Sequence, residues 1–403
     1  MDHLLVDGVE KALGWSGPTQ LGKAFARGQL PDPAVCDRLL TPHRLLDIAM
    51  RRSLSPPQFR CLQAGHELHP REYIATTRTR RGQAIPMVDM DRLGRLIESG
   101  ATVVLDTTDT FDPTMEVACR ALQWWAGELV QVNTYLTTKD AAGFDLHWDD
   151  HDVLVVQVAG EKSWEVRGTS RVAPMFRDAE PNTEPSDETV WAGTMTAGDV
   201  MHIPRGYWHQ ATRTDRTGEA GSGFSLHVTF GFVQRAGVDW VSWLADQARE
   251  QELFRHDLEH DDGPSGQAAT LAGAVAELAG KLPPAEFLTA RRRQQRPRRH
   301  LSTFATFGPP EQVVCVAEFP PEIVTADDGS VTVLAAGRRI RFAAKALPVV
   351  RRLCSGNPVP VADVAAETGI DAARIAEILL RENVCAEVGP DLSSGYTGLV
   401  TTG

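Results

Sequence analysis

The chain has 403 residues, a formal net charge of −12, 42% hydrophobic residues and 23% charged residues, the profile of a soluble globular protein of two to three domains. No run approaches the roughly 20 apolar residues of a membrane helix, and the start Met1-Asp2-His3-Leu4-Leu5-Val6-Asp7 lacks the basic and apolar stretches of a signal peptide. The acidic balance argues against a general nucleic-acid binder. Six singly placed cysteines without a Cys-x-x-Cys pair argue against a disulfide framework or a thiolate zinc site, so the expected compartment is the cytoplasm.

Residues 1–100 read as mixed, with helix-like stretches at 34–50 and 90–99. From 101 to 231 the pattern changes to short β-rich runs at 101–105, 130–136, 153–158, 163–166, 194–201 and 224–232. Strands at this spacing suggest an antiparallel sandwich or barrel. The Pro-, Asp-, Glu- and Asn-rich stretch 171–188 reads as an exposed loop.

Beyond Val238 the period becomes helical: Trp240, Leu244 and Ala248 form one stripe. After an acidic break at 256–266, Leu271, Val275, Leu278 and Leu282 form a second. Pro283-Pro284 interrupts it, and Arg291, Arg292, Arg293, Arg296, Arg298 and Arg299 read as a solvated helix end or linker. Strand-like pieces at 331–335 and 338–342 precede helical patterns at 343–353, 361–368 and 372–382, with Gly369 placed to stop one helix and Asp371 to cap the next. That order suggests a winged-helix module. Between Pro358 and Gly403 the acids outnumber the two arginines, Arg374 and Arg381, the wrong sign for reading DNA.

The chemistry concentrates in two segments. His147 and Asp149 are two residues apart, so on a strand both project from one face. Downstream, Gly198-Asp199 is followed by Pro204-Arg205-Gly206 and then His209, a turn that places an imidazole near the start of another strand. Two imidazoles and one carboxylate on one face of a small barrel form a facial triad for non-haem Fe(II), with open positions for a bidentate co-substrate and dioxygen. The same donors suit zinc or manganese, and a lone His-x-Asp more often marks a polar surface cluster; the Gly-Asp and Pro-x-Gly-x-x-His layout downstream is what favours the metal reading. Lys162 stands on the returning strand after Gly160. A lysine directed into a barrel is costly without an anion, and the distal carboxylate of 2-oxoglutarate would supply one; alternatively the lysine covers the turn in solvent. His151 reads as lying behind the triad or facing substrate, and His202 and His227 as packed core or wall residues.

The run Val132-Asn133-Thr134-Tyr135-Leu136-Thr137, then His147-Trp148-Asp149, Gly160 to Trp164, Gly198-Asp199 with Pro204 to His209, and Ser225 to Thr229 follow one another in a recognisable order. Together they resemble the JmjC-type ribosomal oxygenases, cupin-like Fe(II)- and 2-oxoglutarate-dependent hydroxylases of ribosomal proteins. The resemblance is strong from about 102 to 232 and loose over the first hundred residues. It implies a double-stranded β-helix (a cupin/JmjC-like jelly roll), a helical dimerisation region and a C-terminal winged helix. The expected divisions are 1–100 as the N-terminal part of the catalytic domain, 101–236, 237–303 and 304–403.

By the same resemblance His147, Asp149 and His209 hold iron, Lys162 pairs with the distal carboxylate of 2-oxoglutarate, and Asn133, Tyr135 and Ser225 line the co-substrate pocket. The implied reaction hydroxylates an arginine or histidine side chain of a ribosomal protein, with dioxygen as oxidant, in a homodimer. The alternatives are hydroxylation of a peptide natural product or of a free or carrier-bound amino acid, and, less favoured, lysine demethylation, a non-catalytic cupin-like binding protein or a winged-helix regulator.

Overall fold

The computed structural model describes residues 1–138, 144–175, 184–212, 223–258, 266–297, 299–300, 306 and 308–400. The middle of the 171–188 stretch, most of the acidic break, Gly143 and Arg298 lie outside the described residues. Among those described, no helix is long and apolar enough to cross a membrane. All six cysteines are buried and none is in a disulfide.

The chain divides into two compact units. One comprises Met1–Val233, Gly356–Pro358 and Glu387–Gly403, the other Gln234–Ser355 and Val359–Ala386. The first begins with α1 (Leu4–Leu13), β1 (Ala26–Gln29), α2 (Ala34–Leu39), α3 (Pro42–Arg51), β2 (Phe59–Gln63), β3 (His66–Glu67), β4 (Ile74–Arg78), β5 (Ala84–Val88) and α4 (Met90–Ser99). It continues with β6 (Thr102–Leu105), α5 (Pro113–Ala126), β7 (Leu129–Thr138), β8 (Asp152–Thr169), β9 (Thr189–Thr196), β10 (Asp199–Ile203), β11 (Tyr207–Thr212) and β12 (Phe224–Val233). Among the described residues ten strands join in one sheet, ordered β1-β10-β8-β12-β7-β6-β2-β3, with β9 and β11 also paired to β8. The barrel therefore does not start at residue 101: β1, β2 and β3 from the N-terminal stretch complete it. The last residues, 387–403, belong to this unit, whereas the sequence reading counted them with the C-terminal domain.

β8 organises the site. The sequence reading split it at Gly160, but one strand runs through. Its first half pairs with β10 and β12 and its second with β9 and β11. Gly160 is the bend: its φ is +65°, and a Cβ there would fall 1.8 Å from the Phe224 carbonyl oxygen, so only glycine lets the strands cross so closely. Both faces of the first half are covered. Leu154, Val156 and Val158 pack with Leu226, Val228 and Phe230 of β12 and with Leu5, Met115 and Leu122 of the helices. Val153 and Val155 face the other way, toward Trp164, Val166, Met195, Met201 and Ile203. Burial on two sides explains why 153–158 reads as a nearly unbroken apolar run.

The second unit holds α6 (Gly237–Ala248), α7 (Gln267–Lys281) and α8 (Pro284–Gln294), then β13 (Gln312–Cys315), β14 (Glu322–Thr325), β15 (Val331–Ala335), β16 (Arg338–Phe342), α9 (Leu347–Leu353), β17 (Val359–Pro360), α10 (Val361–Thr368), α11 (Ala372–Arg381) and β18 (Cys385–Glu387). β14, β15 and β16 form an antiparallel meander, and β17-β13-β18 form a second small sheet. Gly369 ends α10 in the left-handed conformation, and the Asp371 side chain accepts from the Arg374 N–H to start α11, the punctuation read in the sequence. The chain closes with α12 (Pro390–Tyr396) in the first unit.

Candidate metal centre

His147 and Asp149 do not sit on a regular strand as expected. They lie on an irregular segment between β7 and β8, joined to β11 by an isolated antiparallel bridge between His147 and His209. The His147 N–H donates to the His209 carbonyl at 3.1 Å and the His209 N–H returns the bond to the His147 carbonyl at 2.7 Å. The turn before His209 is pinned as well: the Gly206 N–H donates to the Asp149 carbonyl at 2.9 Å, and the Arg205 N–H donates to the carboxylate of Asp152 at 2.9 Å. Asp152 is fully buried, and burial raises its pKa. The sequence reading missed this carboxylate, whose only signal was an acidic residue opening an apolar strand.

One donor atom from each of His147, Asp149 and His209 lies within 4.8 Å of the others, the scale of two metal–ligand bonds of about 2.1 Å placed end to end. His209 Nε2 is 3.6 Å from an Asp149 oxygen, and the two imidazole centroids are 4.4 Å apart. In each ring Nδ1 faces a backbone carbonyl, that of Asp145 at 2.7 Å for His147 and that of Tyr207 at 3.0 Å for His209. Nδ1–H therefore donates there and Nε2 keeps its lone pair for an ion. Burial, then the adjacent His147 ring, push His209 down to about 4 against the pull of Asp149, so this imidazole is neutral near pH 7. Two imidazole nitrogens and one carboxylate fit a divalent transition-metal ion with open positions.

These donors border a cavity of about 60 Å³, lined also by Thr102, Tyr135, Thr137, Phe144, Val153, Val155, Lys162, Trp164, Ala211, His227 and Thr229. Lys162 lies inside it and is 2% exposed, so it does not cover the turn in solvent. Its position follows from the alternation of β8, where Lys162, Trp164 and Val166 are buried and their neighbours half-buried. Tyr135 stands opposite His227 across β7 and β12, with stacked rings 4.8 Å apart, and burial pushes its phenol above the usual range.

Two of the expected pocket residues are placed differently. Asn133 accepts from the Thr107 N–H at 3.0 Å and hydrogen bonds the Tyr135 side chain, so it braces the wall from behind. Ser225 is buried and accepts from Gln157 Nε2 at 3.0 Å. Neither is among the lining residues. His151 is also outside the cavity: it contacts Asp150 at 3.1 Å and covers Gly231.

His202 is a packed residue, as expected. It is fully buried, with Nδ1 2.9 Å from the Ala24 carbonyl and Nε2 accepting from the Gly22 N–H, and burial lowers its pKa to about 4. Because the unfolded chain takes up the proton near 6.5 and the folded one only near 4, acid favours unfolding. The expected result is a stability loss that starts below about pH 6.5 and reaches about 3 kcal/mol by pH 4 from this group. Urea midpoints across that range should fall less steeply in His202→Gln; an equal slope would remove the assignment.

A model of the JmjC domain matches residues 107–236. A Caenorhabditis elegans protein named bifunctional lysine-specific demethylase and histidyl-hydroxylase NO66 is 34% identical over 181 residues, 42% of this chain and 22% of that protein. Ribosomal oxygenase 1 of Gallus gallus is 31% identical over 196 residues, 48% of this chain and 31% of that protein. This chain thus spans less than a third of the length of these curated relatives. Among solved structures, the Escherichia coli ribosomal oxygenase YcfD aligns with a TM-score of 0.55 at 14% identity, over 91% of this chain and 96% of that one, a likeness of fold. YcfD has also been solved with cobalt and 2-oxoglutarate; that structure aligns with a TM-score of 0.54 at 14% identity, over 92% of this chain and 96% of that one.

Proposed function

From the match of residues 107–236 to the JmjC domain and the similarity to curated ribosomal oxygenases, we propose that the chain is an Fe(II)- and 2-oxoglutarate-dependent dioxygenase that hydroxylates an arginine or histidine side chain of a ribosomal protein. The observation that carries this reading is the convergence of His147, Asp149 and His209 on a cavity that is also lined by the buried Lys162. Ferrous iron, when bound by these three residues, supplies the redox chemistry that couples oxidative decarboxylation of the keto acid to hydroxylation of a C–H bond.

The protein's own contribution is positional. Asp149 offsets part of the ion's charge, and the Nδ1 bonds to the Asp145 and Tyr207 carbonyls fix both rings in the metal-binding tautomer. Lys162 offers a charged anchor to the far carboxylate, so the keto-acid end is directed toward the triad. Phe144, Val153, Val155 and Trp164 give that path apolar walls, which strengthen the ammonium–carboxylate interaction by keeping water away. Ribosomal proteins are basic and this chain carries −12, so their encounter is electrostatically favoured.

The test is mass spectrometry of ribosomal proteins from a strain lacking this gene. One protein should lose a single-oxygen increment and regain it when treated with purified enzyme, Fe(II) and 2-oxoglutarate. An unchanged ribosomal proteome points instead to a peptide natural product or amino acid, and formaldehyde release points to demethylation. The helices α6–α8 fit a dimerisation element, since Val238, Val241 and Val275 are 46–55% exposed; light scattering at micromolar concentration should give a dimer mass, and a monomer would refute this. The strands β17-β13-β18 beside α9–α11 are compatible with a winged helix.

A further inference from the structure

We propose that His227 is a second anchor for the co-substrate, a neutral imidazole that hydrogen bonds the carboxylate end gripped by Lys162. The inference rests on the reading above that the cavity takes 2-oxoglutarate.

His227 belongs to the cavity wall, yet it is only 4% exposed. Two neighbouring rings and the strand register fix its ring. Tyr135 stacks on it at 4.8 Å with an interplanar angle of 12°, Trp164 meets it edge-on at 5.2 Å and 71°, and the register of β7 and β12 sets it directly opposite Tyr135. Such a ring has little freedom to turn and find a partner elsewhere. Its Nδ1 is buried and has no hydrogen-bond partner among the described residues. Leaving a buried polar atom unpaired is costly, and such an atom in a native site calls for an explanation, of which a catalytic or binding role is one. A phenylalanine would fill the same aromatic slot without that cost.

The charge state follows from the surroundings. Burial and then the nearby Lys162 ammonium both disfavour protonation, driving His227 down to about 3. It therefore holds one N–H and one lone pair at any working pH. Two ammonium-like cations side by side would attract any small anion without discrimination. One cation beside a neutral, oriented N–H instead offers a carboxylate one charged bond and one directional bond. That pairing sets where the carboxylate sits, and so which length of keto diacid reaches the triad.

The experiment uses full-length protein loaded with Mn(II) under nitrogen, with 2-oxoglutarate binding measured by titration calorimetry. The variants are His227→Phe, which keeps the ring stack, and His227→Asn, which keeps an N–H donor. For His227→Phe, 2-oxoglutarate affinity should fall about tenfold or more while the melting temperature holds or rises, since the unpaired nitrogen is gone. His227→Asn should recover part of the affinity, and 2-oxoadipate should be discriminated less well by His227→Phe than by wild type. Wild-type affinity in His227→Phe would overturn this assignment and leave the proposed function intact. Failure of the wild-type protein itself to bind 2-oxoglutarate would overturn both.

Discussion

His147→Ala and Asp149→Ala should reduce succinate formation from 2-oxoglutarate to below about one-hundredth of wild type, because removing a ligand disturbs a metal site more than the 10–100-fold typical of losing an outer hydrogen bond. The loss should trace to the ion rather than to the fold. Both side chains are part-exposed, at the edge of the barrel rather than in its core, so melting temperatures should move little. Asp149→Asn is the sharper variant: it keeps the shape and removes the charge, and Mn(II) affinity read by electron paramagnetic resonance should fall with it. Wild-type turnover in any of the three would remove the triad from consideration.

Lys162→Met should raise the KM for 2-oxoglutarate about 100-fold, the scale of a buried charged hydrogen bond, with a smaller change in kcat. Methionine matches the lysine stem in length and tolerates the apolar surroundings of Trp164 and Val155. Lys162→Arg should fall between the two, since it keeps the charge but carries it on a bulkier planar fork. Circular dichroism should be unchanged throughout. If Lys162→Met binds 2-oxoglutarate as wild type does, the far carboxylate is held elsewhere.

What the sequence made legible were features carried by local spacing. The triad residues could be picked out because a His-x-Asp pair and a Pro-x-Gly turn before His209 are short patterns. Lys162 could be singled out because it follows the turn at Gly160 at the start of an alternating stretch, but local spacing alone left open whether it entered the barrel or covered the turn in solvent. The cap at Asp371 and the stop at Gly369 are equally local. What stayed hidden depends on partners distant in the chain. That β1 pairs with β10, or β2 with β6, leaves no mark on either segment alone, so the barrel seemed to begin at 101. Asn133 and Ser225 share faces with cavity residues, but their side chains are drawn off by Thr107 and Gln157, contacts set by the three-dimensional path. The His147 segment read as a strand because alternation of two donors imitates one; the structure offers it a single bridge instead.

That bridge has a consequence for how the protein gains and loses its ion. The two histidines are zipped main chain to main chain, so the gap between their rings is a property of the scaffold and survives demetallation. Chelation should therefore strip the protein without loosening it, and amide hydrogens of 147 and 209 should exchange as slowly in the stripped form as in the loaded one. Capture of the ion then carries little ordering cost, and an emptied site can be refilled without rebuilding the fold around it.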